Sequence, residues 1–326
     1  MKTALRFIAI FLLLVSCSKQ PPHRYTFYYW KTRLALNNAE NIALQKATVP
    51  YLYTRFFDVD KINGKFQPVG VIAKDKSFIT GKKIIPTVFI TNRTFLNITA
   101  QETKFLAESI YALIRKKASE YQLKTGSEIQ IDCDWTAGIR DDYFKFLNEL
   151  RTVSEKSVTC TLRLHQVKDK KLMGIPPVDK VYLMCYSTSS PLENSDRNSI
   201  LDVNTLKNYL SNIDDYPSKN IAVALPIYSW GIVTNHLGKH RLINALSTKD
   251  LDSPSLKKIS GTEAEVLEDG FYFGHYLNKG FRIKVEEISD EQLQDVVHFL
   301  EKKIKPFDII YYQLDRKFVT GQRFDF

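Results

Sequence analysis

The stretch that decides the fold is EIQIDCDWT, Glu128 to Thr136. Strict alternation places Ile129, Ile131, Cys133 and Trp135 on one face of a strand and Asp132 and Asp134 on the other. In a closed structural core an unpaired carboxylate costs several kcal/mol. A strand with apolar groups on one side and two acids on the other therefore belongs at the polar end of a barrel.

Working outward, apolar and β-branched runs recur at Tyr25–Lys31, Val49–Phe56, Thr87–Thr91, Val158–His165, Lys180–Tyr186, Ile221–Tyr228 and Asp308–Leu314, so that eight strands are expected in all. Helix-patterned stretches alternate with them: Ala39–Ala47, Ala100–Tyr121, Asp141–Glu155, Val203–Ile213 and Asp290–Ile304. Ala100–Tyr121 carries Phe105, Leu106, Ile110, Leu113 and Ile114 at the spacing of a buried stripe. Asp141–Glu155 does the same with Tyr143, Phe144, Leu147 and Leu150. Asp290–Ile304 does so with Leu293, Val296, Val297 and Leu300, behind Ser289 as N-cap. Strands interleaved with helices imply right-handed crossovers and a parallel sheet. Eight such units in about 300 residues predict an α/β fold, a (β/α)8 TIM barrel spanning 25–326. Residues 63–83 are expected as a hairpin-like excursion after strand two. Residues 236–286 are expected as a small insertion between strand seven and the last helix, with strand-like Gly270–Tyr276 and Gly280–Glu286 inside it.

The N-terminus reads as an export signal over residues 1–17: Lys2 and Arg6, an apolar run from Phe7 to Val15, then Leu14-Val15-Ser16-Cys17. The run is too short for a spanning helix, which takes about 20 residues. Its end resembles the bacterial lipobox, which implies that Cys17 becomes the lipidated first residue, with 18–24 as a tether. The expectation is an envelope lipoprotein held to the membrane by that anchor. Ser18-Lys19-Gln20 lacks an acidic run, which favours the periplasmic side.

Of the four cysteines, Cys133, Cys160 and Cys185 fall on separate apolar strands without metal-type spacing and are expected as core residues. The formal charge is +10, and +8 once Lys2 and Arg6 leave with the signal. The excess is scattered in pairs such as Lys82-Lys83 and Lys302-Lys303, the pattern of solvated faces. No nucleic-acid motif is present, and no nucleic-acid partner is expected. A G-x-S-x-G elbow, a P-loop and H-E-x-x-H are all lacking. His236 and His240 stand at i, i+4, but Gly238 separates them and no third ligand is near, so neither metal nor cofactor is expected.

In a parallel barrel, functional groups gather where strands end, at the C-terminal face. That rule puts Asp132 and Asp134 together with Arg55, Asp58 and Asp60 (strand two), Asn92 and Arg93 (three), and Arg163 and His165 (five). Tyr186 (six), Tyr228 and Trp230 (seven), and Gln313 and Asp315 (eight) complete the set. Closely spaced carboxylates that stay ionised need a cation, and Arg55 and Arg163 are the candidates to neutralise the pair. Trp230, at the end of strand seven, is the best placed of the three tryptophans to stack on a ligand.

Asp-Cys-Asp-Trp-Thr at 132–136 resembles the strand-four signature D-x-x-D-x-D-x-E of glycoside hydrolase family 18, the chitinase-like barrels. Met184-Cys185-Tyr186-Ser187 is similar to that family's strand-six M-x-Y-D, and Pro226-Ile227-Tyr228 to its strand-seven Pro-x-Tyr. The resemblance implies a glycan as substrate or ligand, Asp132 and Asp134 as barrel-interior acids, and Tyr186 and Tyr228 as sugar contacts. In this register the family's general-acid Glu falls on Thr136, the leading Asp on Ile129, and the Asp after the strand-six Tyr on Ser187. Thr cannot protonate a leaving oxygen. Residues i and i+2 on a strand lie about 6.6 Å apart, at the lower edge of the separation of inverting carboxylates, yet they approach a sugar from one side. A partner acid from another strand, Asp58, Asp60 or Asp315, or Glu193 from the 187–199 loop, is geometrically better. Two functions follow: a glycan hydrolase with Asp134 and a second carboxylate, or a non-catalytic carbohydrate binder or scaffold. The sequence leaves the oligomeric state open.

Overall fold

The computed structural model describes residues 23–193, 196–218, 220–322 and 324. The export signal with Cys17, and the tether up to residue 22, lie outside the described residues.

Eight parallel strands close into a barrel: β1 (Tyr25–Tyr29), β2 (Tyr51–Ile62), β3 (Lys83–Ile90), β4 (Glu128–Asp132), β5 (Ser157–Leu162), β6 (Val181–Met184), β7 (Ile221–Pro226) and β8 (Ile309–Tyr312). They pair in chain order, and β1 pairs with both β8 and β2, which shuts the ring. All eight expected strands form. The (β/α)8 architecture is the one the alternation predicts.

Helices α1 (Asn38–Lys46), α2 (Ala100–Glu120), α3 (Arg140–Ser154), α4 (Leu164–Lys168), α5 (Lys170–Met173), α6 (Val203–Tyr209), α7 (Asp290–Glu301) and α8 (Arg316–Val319) lie between and after the strands. Capping boxes set three of their starts: Asn37 with Glu40, Thr99 with Glu102, and Ser289 with Gln292. On α7 all four stripe residues are buried. On α2 the stripe turns slightly, so that Ala107 is buried while Phe105 is exposed. On α3, Phe146 is buried where Phe144 was expected. His165, expected at the end of β5, falls in α4 because the ladder stops at Leu162.

The outward face of β4 behaves as its pattern dictates: Ile129, Ile131, Cys133 and Trp135 are fully buried under the helices. Trp135 stacks on Tyr143 of α3 at 5.3 Å between ring centroids and donates its indole N–H to the Met173 carbonyl at 2.9 Å. Cys133, Cys160 and Cys185 are buried and unbridged.

After β2 the chain turns back through Asn63 and Gly64, both at positive φ, into an antiparallel strand Lys65–Val69. Asn-Gly is the pair a two-residue hairpin favours. The insertion after β7 is a five-stranded antiparallel sheet, with a separate hairpin of Gly270–Tyr272 and His275–Leu277. Its strand Trp230–Thr234 pairs with both His240–Asn244 and Arg282–Glu286. The added sheet thus starts at Trp230, six residues before position 236, because that strand runs on almost directly from β7. It has its own small core, including Val233, Ile243, Leu251, Val266, Ile283 and Val285.

Candidate active site

The inward residues of β4 climb the barrel interior in step with those of β5. Near the N-terminal end, Glu128 accepts from the Thr159 and Tyr182 hydroxyls, each at 2.7 Å. One step up, Gln130 is fully buried, and the Thr87 hydroxyl lies 3.4 Å from its Oε1. Next, the Thr161 hydroxyl donates to Asp132 Oδ1 at 2.7 Å. At the rim, Arg163 Nε stands 3.5 Å from Asp134 Oδ1. Thr159, Thr161 and Arg163 alternate with the outward Cys160 and Leu162, so both strands obey a period of two.

Above this ladder opens a cavity of about 740 Å³ at the C-terminal face, within the usual size range of ligand pockets. Asp132 and Asp134 line it, with Arg163, Tyr186, Tyr228, Trp230 and Gln313. Tyr28, Trp30 and Tyr312 add to the aromatic wall, and Asn244 and Ala245 reach in from the insertion. Tyr186 stacks on Tyr312 at 5.4 Å, Tyr228 stands edge-on to Tyr312 at 5.6 Å, and Trp230 leans on Tyr228 at 5.2 Å. Aromatic faces beside carboxylates are the surface a sugar ring needs: apolar C–H faces to stack and hydroxyls to bind. Gln313 Oε1 is buried with no hydrogen-bond partner among the described residues, although its side chain lines the cavity.

The two aspartates differ in environment. Asp132 is buried and its carboxyl is pushed up to about 7, first by burial and next by the adjacent Asp134 charge; the Thr161 hydroxyl and Arg163 pull it partly back. Asp134 is half-exposed. Its backbone is fixed: Asn92 Nδ2 donates to the Asp134 carbonyl at 2.7 Å, and Gln166 Nε2 to the Trp135 carbonyl at 3.0 Å. A carboxyl that titrates near neutrality beside a solvent-facing one is an arrangement suited to moving a proton.

Several expected partners are placed elsewhere. Arg55 does not reach Asp132 or Asp134. Its guanidinium grips Asp58 with two bonds, 2.7 and 2.5 Å, and the Gly70 carbonyl at 3.2 Å, and it does not line the cavity. The cause is local: Asp58 lies three residues along the same strand, past a register shift between Arg55 and Phe57. Of the two cations expected to neutralise the pair, Arg163 alone is in place. Asp58 and Asp315 line the cavity, but Asp58 is held by Arg55, and Asp315 by Lys31 at 2.9 Å. Asp60 pairs with Arg93 outside the cavity, and Glu193 is exposed and away from it. Thr136 is exposed and absent from the cavity wall, leaving Asp134 as the last inward residue of this stretch. His240 sits on a strand with Nδ1 2.9 Å from the Thr234 hydroxyl, which ends the helical spacing with His236.

Tyr28, Tyr312 and Thr161 went unread as site residues. Thr161 was within reach, because it stands two residues before Arg163 on an alternating strand. Tyr28 and Tyr312 sit in runs of consecutive aromatics, Phe27–Trp30 and Tyr311-Tyr312, where alternation gives no contrast.

No family model matches the sequence, and no curated protein sequence matches it. Solved structures do. The spore cortex-lytic enzyme SleL of Bacillus cereus is 15% identical, with a TM-score of 0.56 over 93% of this chain and 73% of that one. SleL of Bacillus megaterium is 13% identical, with a TM-score of 0.57 over 90% and 72%. A chitinase of Chromobacterium violaceum is 12% identical, with a TM-score of 0.54 over 91% and 100%. The chain thus has the (β/α)8 fold of the chitinase-like barrels, the architecture it shares with SleL and the chitinases.

Proposed function

We propose that the protein is a glycan hydrolase of the bacterial envelope, tethered through a lipid on Cys17 and acting at the C-terminal mouth of its barrel. The observation that carries this reading is the Asp132–Asp134 pair at the base of an aromatic-walled cavity, with burial pushing the Asp132 carboxyl up to about 7, so that it exchanges a proton near neutral pH. The chitinase-like fold supports it, and an N-acetylated polysaccharide, chitin-like or of the cell wall, is the substrate class we infer.

The geometry also favours another register for the strand-four signature. With the closing Glu placed on Thr136, the motif ends at an exposed residue outside the cavity. Shifted back by two, its last three acidic positions fall on Gln130, Asp132 and Asp134, the three inward residues of β4. In this reading the acid at the rim is not lost but shortened from Glu to Asp, by one carbon–carbon bond of about 1.5 Å. Asp134 then protonates the leaving glycosidic oxygen with the one proton the pair shares, which Asp132, one step deeper, holds and hands on to it, and the water that adds to the sugar returns a proton to the pair. The other cavity carboxylates, Asp58 and Asp315, are locked in ion pairs. The attacking group is therefore water or the substrate's own amide, the latter being an established route among glycosidases. Gln313 Oε1 supplies an acceptor for a sugar hydroxyl.

A second reading, a glycan binder that does not cleave, draws on the Arg163–Asp134 contact, which engages the rim carboxylate with a cation. Incubating the protein with chitin oligosaccharides and peptidoglycan glycan strands, and assaying new reducing ends alongside binding, separates the two. Cleavage abolished by Asp134→Asn supports the hydrolase. Binding without cleavage, untouched by Asp134→Asn, ends it in favour of the binder. Neither binding nor cleavage removes both and leaves a scaffold. The anchor is tested by Cys17→Ser, which should abolish lipid labelling and membrane association.

A further inference from the structure

Behind the cavity wall, Glu286, 2% exposed, is a buried carboxylate at the end of the insertion's last strand. The antiparallel register sets it directly opposite Trp230, the residue that opens the insertion and lines the cavity. Its Oε2 accepts the Trp230 indole N–H at 2.9 Å, the Ser199 backbone N–H at 3.0 Å and the Ser199 hydroxyl. Its Oε1 faces Lys284 Nζ at 2.9 Å. Around it, Asn198 Nδ2 donates to the Glu287 carbonyl at 2.9 Å, and Lys284 Nζ to the Arg197 carbonyl at 2.8 Å. The segment 197–200, which returns from the loop after β6, is thereby tied to the insertion. That segment also carries Ile200, whose carbonyl accepts from Ser187 N–H on the cavity wall at 2.7 Å.

We propose that Glu286 is a positioning residue for the sugar-binding wall. It touches no ligand itself. It fixes the Trp230 ring against Tyr228 and binds the β6 loop to the insertion, so that barrel and insertion present one preformed aromatic surface. A buried carboxylate is costly unless its oxygens are satisfied, and here the donors come from two cavity-forming segments as well as its own strand. An indole pinned at its N–H has one ring orientation, and a preformed stacking face spares the ordering cost on binding.

The inference rests on the proposed function only for its ligand, so two readouts are needed. Glu286→Gln keeps the volume but weakens the acceptor. It should raise acrylamide quenching of tryptophan fluorescence and weaken binding of chitin oligosaccharides by roughly fivefold, the scale of part of one hydrogen bond. The quenching effect should vanish and the binding loss should shrink when Glu286→Gln is made in a Trp230→Phe background, because the part of its action that passes through that ring is gone while the Ser199 tie remains. Unchanged quenching, or an equal loss of binding in both backgrounds, overturns the proposal. Quenching that responds as expected while the wild-type protein binds no oligosaccharide supports the positioning role and removes the glycan reading instead. Should Glu286→Gln fail to fold, Ser199→Ala, which removes one donor from the same carboxylate, carries the same paired comparison.

Discussion

Replacing Asp132 with Asn should make the protein more stable at neutral and alkaline pH while abolishing glycan cleavage. The carboxyl has a pKa near 7 in the fold, against an ordinary value of 3.8. At about 1.4 kcal/mol per tenfold change in affinity for the proton, the buried charge costs at most about 4 kcal/mol above pH 7. The sign follows from the direction of the shift. Below pH 4 both folded and unfolded chains hold the proton, and the group is neutral in each. Between pH 4 and 7 the unfolded chain releases the proton and the folded one keeps it, so stability falls as pH rises through this window and levels off above it. The amide that replaces the carboxyl carries no proton to lose. The stability gained by Asp132→Asn should therefore be near zero at pH 4 and grow to a few kcal/mol by pH 8, read as a rising difference in unfolding midpoint between the two proteins. The amide keeps an oxygen to accept from Thr161, so packing is preserved. A difference that is flat with pH, or that shrinks between pH 4 and 8, would refute the placement of a protonated carboxyl at this site.

Three further outcomes are expected. Arg163→Met removes the nearby cation that lowers the Asp132 pKa. The fall in stability should then extend to higher pH, with the carboxyl titration of Asp132, followed by NMR, moving upward; a downward move would contradict the geometry. Asp134→Asn should lower the rate of glycan cleavage by roughly 10²- to 10⁴-fold, the scale of a lost general acid, whereas Thr136→Ala leaves it within about twofold. Steady-state kinetics on one oligosaccharide checks both, and a large Thr136→Ala effect would restore the other motif register. Gly70→Ala should destabilise the fold by about 1–3 kcal/mol in chemical denaturation, because φ is +56° and an added Cβ would sit 2.6 Å from Arg55 Nη2, which grips Asp58.

Much of the scaffold is legible in the residues alone. Apolar and β-branched runs mark all eight barrel strands, and a period-3.6 stripe with Ser289 marks α7 to within a few residues. The facing of β4 follows as well, since alternation along 128–136 leaves no other way to bury Ile129, Ile131, Cys133 and Trp135. What alternation cannot say is who stands opposite. It assigns Asp132 and Asp134 to the interior, but their neighbours depend on the stagger between strands. That stagger brings Thr161 and Arg163 to them while a register shift in β2 turns Arg55 toward Asp58. The pairing of Trp230 with Glu286, 56 residues apart, arises only when the insertion's antiparallel ladder forms. Nor does a motif on an alternating strand reveal its own register, because a shift by two preserves every facing. Local pattern determined which side of each strand is wet; barrel closure and ladder stagger alone decided which charges meet there, because those contacts join segments that no sequence-local periodicity relates.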